Sequence, residues 1–389
     1  MHFGNREKFA QELRNSKMAQ SPHAYVRGST QRFYEWLDGH SAAIPEGPEV
    51  WICGDCHLGN LGALADLDGN VAIQIRDFDQ TVIGNPAHDI IRLGLSLASA
   101  IRGSDLPGVT TARMLEQLVF GYESSSVADV AGRDRGQQPI EIRKLLRQSV
   151  RRRWRHLALD RFQSSKAALP RDKRFWPLHR KERSEVLAFC NQTDLTQLVA
   201  NRVGDKTRKV ADAAYWMKGC SSLGQLRYAV LLRGKRHQAA LVDVKEASAV
   251  AAPSSPGAKM PRRHADRVVA GAKALSPHLG DRMVSSTLLD KSVFVREVAP
   301  QDLKIEIDRL TSSETEAIAR YLGGVLGIAH GRQMQASTWN AWRAEILSAR
   351  QGDLNAPSWL WSSVVELLSV HELAYLEHCR LYAMQQPSH

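Results

Sequence analysis

Two short stretches constrain this chain more than any other feature: Gly54 to Asn60, GDCHLGN, and Ile75 to Asp89, IRDFDQTVIGNPAHD. They set Asp55 and Asn60 five positions apart on a loop and bring a second carboxylate, Asp77, to the end of the next apolar run, with Asp79 just beyond it. A hydroxyl that attacks a nucleotide's terminal phosphoryl group needs an acceptor for its proton, and the triphosphate needs divalent cations held by hard oxygen ligands. In that chemistry Asp55 orients or deprotonates the nucleophile and Asn60 gives a carbonyl oxygen to magnesium. Asp77, or alternatively Asp79, holds the metal against the phosphates. The run VAIQI, Val71 to Ile75, is β-branched and follows the turn-like DLDGN, so it is expected to be one strand of a hairpin with Asp77 at its end. Asp and Asn also favour ordinary turns, so the pair alone is weak; Asp77, Gly84, Pro86 and Asp89 in register with it are what give it weight.

The pattern resembles the aminoglycoside and choline phosphotransferase branch of the protein-kinase-like fold, whose members carry HGDxxxxN, then Ile-Asp, then a further Asp. Asp77 and Asp89 keep the family's interval of twelve, and GNPAHD is similar to its G-D-P-x-x-D. The chain departs where the His before Gly-Asp is replaced by Cys53. The resemblance implies Asp55 as base, ATP and Mg2+ as cofactors, and a hydroxyl-bearing acceptor. A small molecule is favoured over a protein acceptor, because nothing like an activation segment separates Asp77 from Asp89.

Only 53 residues precede Gly54, too few for a nucleotide-binding lobe, and a candidate for that lobe follows instead. From Tyr215 the sequence runs through GCSSLG, an extended stretch, a turn RGKRHQ and then ALVDVKEA. That is the order of a glycine-rich phosphate loop, its return strand and a third strand carrying Lys245. Gly219, Ser221, Ser222 and Gly224 are the candidate phosphate-loop residues, since glycine lets backbone N–H groups approach phosphate, and Lys245 is the candidate point cation. HADRVVAGAKALSP is expected to be the lobe's helix and DRMVSSTLLDKSVFVREVAP its last two strands. Val295 to Val298 would form the hinge, which places Arg296 and Val298 at the nucleotide, and Asp266 is the candidate carboxylate for Lys245, Glu246 facing the other way. SSETEAIARYLGGVLGIAHGR is expected to be a helix capped by Ser312 or Ser313, similar to the one that precedes the catalytic loop in the phosphotransferases.

The predicted fold is therefore α+β, a two-lobe kinase-like architecture in circularly permuted order: residues 1–210, 211–300 and 301–389. With KMAQSPHAYVRGS ahead of the Gly-Asp loop, the order also resembles an uncharacterised bacterial family grouped with kinase-like folds. Arg27 in that opening either binds substrate or phosphate or pairs with a buried carboxylate such as Asp89, and His57 either contacts substrate or shapes its turn.

Other readings compete. Cys53 to His57 is formally C-x-x-C-H, the c-type haem attachment signature, but the N-terminal twenty residues hold no apolar stretch resembling a signal peptide. Cys190, Cys220 and Cys379 are isolated, so a second cysteine pair for zinc is missing, and five unpatterned cysteines suit a reducing compartment such as the cytoplasm. No apolar run is long enough to cross a membrane. The net charge of +11 concentrates in a basic stretch from Glu141 to Gln163, where Arg151, Arg152 and Arg153 with Trp154 suit nucleic acid; the plainer alternatives are a solvated helix face or a field that draws in an anionic substrate. The expected partners are a nucleotide and a small-molecule acceptor. AMP transfer by the same fold, and a nucleotide-binding regulatory module associated with nucleic acid, are the alternatives.

Overall fold

A computed structural model of the chain describes residues 6–40, 43–101, 108–125, 138–162, 168–191, 193–199, 209–220, 223–234, 239–305, 311–348 and 356–385. Three helices come first: α1 (Arg6–Met18), α2 (Pro22–Gly28) and α3 (Thr30–His40). Ser21 caps α2 by accepting the Ala24 N–H at 3.1 Å, and Pro22 sits in the first turn, where a missing N–H costs nothing. Strands β1 (Val50–Ile52), β2 (Leu61–Ala65), β3 (Val71–Ile75) and β4 (Val82–Gly84) follow, with a 3-10 turn at Leu58–Asn60. The hairpin expected around DLDGN forms: β2 and β3 pair antiparallel, and the Asp66 carboxylate accepts the Asn70 N–H at 2.8 Å across the turn. Helix α4 (Ala87–Ile101) then enters the larger core with 13 of its 15 residues buried, as a helix apolar on nearly every side must be.

Next come α5 (Gly108–Glu123), α6 (Ile140–Arg151), α7 (Trp154–Phe162), β5 (Phe175–Trp176), α8 (Arg180–Phe189) and α9 (Thr193–Leu198). The basic stretch is thus two helices where one was expected. The chain turns extended at Arg152, whose Nε donates to the Pro300 carbonyl at 2.7 Å, while the Ser149 hydroxyl donates to the Gln301 carbonyl at 2.5 Å. Strands β6 (Lys209–Trp216), β7 (Arg227–Arg233) and β8 (Ala239–Glu246) are followed by α10 (His264–Leu275), α11 (Pro277–Gly280), β9 (Met283–Leu288) and β10 (Lys291–Val298). The stretch before α10, linker-like in composition, is a strap: Ala252 is buried and Ser255 donates its N–H to the Ile83 carbonyl at 2.9 Å. Strand β11 (Leu303–Lys304) and helices α12 (Ser312–Gly331), α13 (Ala336–Ser348) and α14 (Ser358–Gln385) complete the described elements.

The strands form antiparallel sheets: β1 with β4, β2 between β3 and β11, and a six-stranded sheet in the order β5-β6-β7-β8-β10-β9. Alternation along β8 sends Ala240, Val242 and Val244 into one apolar cluster and Leu241, Asp243 and Lys245 to the opposite face. Helix α12 starts on Thr311, not Ser312 or Ser313, because Glu314 returns a bond to the Thr311 N–H and closes a capping box. Its GGVLG run permits close packing on α5: a Cβ at Gly323 would overlap the Leu118 carbonyl oxygen. In α14, Trp359, Leu360, Val364, Leu367 and Leu368 are buried as their stripe predicts. No described helix is long and apolar enough to cross a membrane.

Candidate active site

The 53–60 loop is held by its backbone. Gly54 has φ +74°, and a Cβ there would overlap the Gln80 carbonyl, so glycine is required on both counts. Asp89, at the start of α4, accepts the N–H groups of Cys53 and Gly54 at 2.7 and 2.9 Å, and the Tyr34 hydroxyl donates to the Gly54 carbonyl at 2.6 Å. Asn60 donates its side-chain N–H to the Asp55 carbonyl at 3.0 Å.

Asp55 Oδ1 accepts from Arg92 Nε at 2.9 Å; Arg92 lies on α4 and is 0% exposed. Asp55 Oδ2 is 3.9 Å from His57 Nε2. Burial pushes the Asp55 carboxyl above the ordinary range against the pull of Arg92. Burial, then Arg92 and Arg27, hold the His57 imidazole well below its usual range, so it is neutral at pH 7.

Asp77 and Asp79 leave β3 on the next loop, and Lys245 reaches both from β8. Its Nζ is 3.9 Å from Asp77 Oδ1 and hydrogen-bonds Asp79 Oδ2. Burial works to raise the Asp77 carboxyl, but Lys245, Arg296 and Arg227 hold it well below the usual range; its side chain is 43% exposed, so solvent screens part of that attraction. Burial and the Asp77 charge push Asp79 up to about 6. Asp79 Oδ1 is buried with no partner. With Asn60 and Asp77 it makes a set of hard oxygen donors that fits Mg2+.

Several expected roles move. Asp266 pairs at 3.7 Å with Arg263, the N-cap residue of its own helix, and does not reach Lys245; Asp79 takes that place. Its neighbour Arg267 is buried and donates to the backbone carbonyls of Asp79, Thr81 and Ser248, tying α10 to the loop that carries Asp77 and Asp79. Val295 to Val298 are no hinge, because they pair in register with Val244 to Leu241 inside the sheet. Arg296 bonds Asp243 at 3.1 Å and the Arg76 carbonyl at 3.0 Å. Val298 packs with Leu241 and Leu231 under Leu157, Ala158 and Leu169, so the apolar end of the lysine-bearing face is covered. Asp243 is also paired with Arg227 at 2.5 Å and lies 3.7 Å from Lys218; burial opposes, but these cations hold its carboxyl well below the usual range.

Gly219 and Gly224 have φ +101° and +95°, as a glycine-rich turn needs, and Lys17 Nζ donates to the Gly219 carbonyl at 2.6 Å; Ser221 and Ser222 lie outside the described residues. Arg27 does not pair with Asp89. Cys53 and Cys56 are buried free thiols, out of reach of a haem edge, and no cluster of three or more His, Cys, Asp or Glu suited to a metal occurs among the described residues. Arg92, Arg267 and Asp243 escaped sequence reasoning. For Arg92 the signal was present, since it is a charge inside the apolar run IIRLGL and must find a partner when buried.

These elements define a mixed α+β protein whose site joins a carboxylate–asparagine loop, a two-carboxylate loop and a strand lysine. The chain belongs to a family conserved in bacteria and described as uncharacterised, DUF2252, whose model matches residues 6–381. No curated protein and no solved structure matches it.

Proposed function

We propose that the chain is an ATP- and Mg2+-dependent phosphotransferase with a kinase-like two-lobe fold in circularly permuted order, acting on a hydroxyl of a small-molecule acceptor. The observation that carries this reading is the meeting of Lys245 with Asp77 and Asp79 at the end of β3. The order of β6, β7, β8, α10, β9 and β10, with the last strand lying between β8 and β9, also supports it, because it follows the loop strand, return strand, lysine strand, helix and closing strands of the expected lobe.

Asn60, Asp77 and Asp79 would hold the metal, which would supply charge neutralisation to the phosphates, and Lys245 would be their point cation. Asp55 accepts the hydroxyl proton while the new oxygen–phosphorus bond forms and the bond to the departing ADP oxygen breaks. ATP supplies the phosphoryl group. One observation favours a second reading, a nucleotide-binding module without turnover: Arg92 already occupies one oxygen of the base.

Calorimetry and thermal shift with ATP, with and without Mg2+, on wild type, Asp77→Ala and Lys245→Ala test the proposal. Magnesium-dependent binding that is lost in both variants is expected, stabilising wild type by about 3 kcal/mol at a hundredfold excess over Kd. No binding by wild type rejects the reading. Binding with no phosphoryl transfer to any acceptor tried, unchanged by Asp55→Ala, favours the module.

A further inference from the structure

Three buried polar nitrogens around the 53–60 loop lack a hydrogen-bond partner: Arg27 Nε, His57 Nδ1 and Arg92 Nη1. Elsewhere each side chain is anchored or packed. Arg92 bonds Asp55 and the Val26 carbonyl at 2.7 Å, and His57 faces Asp55. The Arg27 guanidinium lies flat on the loop itself: a methyl group at Gly59 would sit 2.8 Å from Arg27 Cζ. Among the described residues Arg27 makes no ion pair or hydrogen bond, although it sits within the electrostatic reach of His23, His57 and Lys17.

The surroundings are short of negative charge. Lys17 and Arg27 both act on Cys220 in the glycine-rich turn, together with Arg14, and the carboxylate facing them, Asp55, is already bound by Arg92. A buried N–H without a partner costs about 1–3 kcal/mol, so several around one loop mark a place that a ligand completes. Residues Gly28, Ser29 and Thr30, directly after Arg27, line an open groove of about 860 Å³ together with Arg14, Tyr34 and Gln80.

We infer that the unpartnered N–H groups of Arg27, His57 and Arg92 beside the 53–60 loop make an anion pocket that holds the phosphate or carboxylate group of the acceptor. The acceptor is then a hydroxyl compound carrying a negative charge. The identity of the anion as part of the acceptor rests on the phosphotransferase reading; the pocket does not. A guanidinium binds either oxyanion through paired N–H groups, and His57 adds a neutral donor.

The test is titration with inorganic phosphate and, separately, acetate, followed by calorimetry on the full chain: wild type, Arg27→Gln, Arg27→Lys and the exposed control Arg262→Gln. Wild type and the control are expected to bind phosphate alike, Arg27→Gln at least tenfold more weakly, and Arg27→Lys in between. The melting temperature of Arg27→Gln without phosphate should match wild type, since no bond is removed. Its affinity for Mg-ATP should stay within twofold of wild type. Undiminished phosphate binding by Arg27→Gln overturns the pocket, and a parallel tenfold loss of Mg-ATP affinity overturns its assignment to the acceptor by giving Arg27 to the nucleotide. Arg27-dependent phosphate binding in a protein that binds no Mg-ATP keeps the pocket and removes the phosphotransferase. Preference for acetate over phosphate selects a carboxylate acceptor.

Discussion

His330 Nε2 lies 3.2 Å from Asp89 Oδ2, the same carboxylate that holds the backbone of Cys53 and Gly54. The chain of bonds continues outward: the Tyr122 hydroxyl meets His330 Nδ1 at 2.9 Å, and Trp342 Nε1 donates to the Tyr122 oxygen at 3.0 Å. Because the Asp89 carboxylate can only accept, His330 donates to it from Nε2, and with the proton there Nδ1 accepts from the Tyr122 hydroxyl. Helices α5, α12 and α13 are thereby fastened to the loop that carries Asp55.

Asp89→Ala removes the acceptor from two buried backbone N–H groups and from His330. A loss of about 3–5 kcal/mol is expected, read as a lower urea midpoint at unchanged slope. Tyr122→Phe, which loses one hydrogen bond to His330, should cost only about 1–2 kcal/mol. Equal losses for the two variants would count against Asp89 as the anchor.

Lys245→Met should destabilise the fold at pH 8 by about 2–4 kcal/mol, because it removes the cation that Asp77 and Asp79 share and leaves their mutual repulsion less compensated. Asp79 is raised to about 6 by burial and by Asp77. Its protonated form therefore favours the fold below the ordinary carboxylate range, and that contribution fades as pH rises through about 6. The cost of Lys245→Met should shrink at pH 5 and be largely recovered by adding Asp79→Asn. Denaturant midpoints of the single and double variants at both pH values decide it, and a pH-independent cost rejects the coupling.

Burial holds His23, His88 and His371 down to about 4. A depressed histidine contributes stability that is present above its ordinary range and is lost as pH falls towards 4, because the unfolded chain binds the proton first. Stability should therefore decline from about pH 6.5 to 4, against the opposite contribution of Asp79. His371, only 2% exposed, contributes on the order of 3 kcal/mol at most. Urea midpoints at pH 7, 5.5 and 4.5 read the trend, and a flat profile contradicts neutral burial of these rings.

Gly323→Ala forces α12 away from α5, since the new Cβ meets backbone carbonyl, and a cost of about 2–4 kcal/mol is expected. Gly39→Ala in α3, with nothing within 4 Å of its Cβ, should instead stabilise by about 0.5–1 kcal/mol. Thermal melts of the pair separate a packing glycine from a dispensable one.

Much of the architecture was legible because it is local. Hairpin β2–β3 follows from DLDGN beside a β-branched run, α12 from its amphipathic pattern, and the buried stripe of α14 from its spacing. The candidate site was legible as a set of parts, since Gly54, Asp55, Asn60 and Asp77 sit within one short stretch. Boundaries fared worse. Thr311 takes the cap because Glu314 stands three residues on, and the basic stretch breaks at Arg152 because a carbonyl from residue 300 draws its side chain away.

By itself, then, the sequence determined which short elements form and where the candidate site residues stand on them, because hydrophobic period and turn preference act over a few residues. Which charge meets which was decided only by tertiary packing. Lys245 joins Asp79 across 166 residues, while Asp266, the carboxylate expected to serve it, is captured by Arg263 in its own helix. Arg296 turns to Asp243, and Val298 packs beneath α7. An ion pair forms where folding brings opposite charges within a few ångströms in a place shielded from water, and separation along the chain carries no record of that distance.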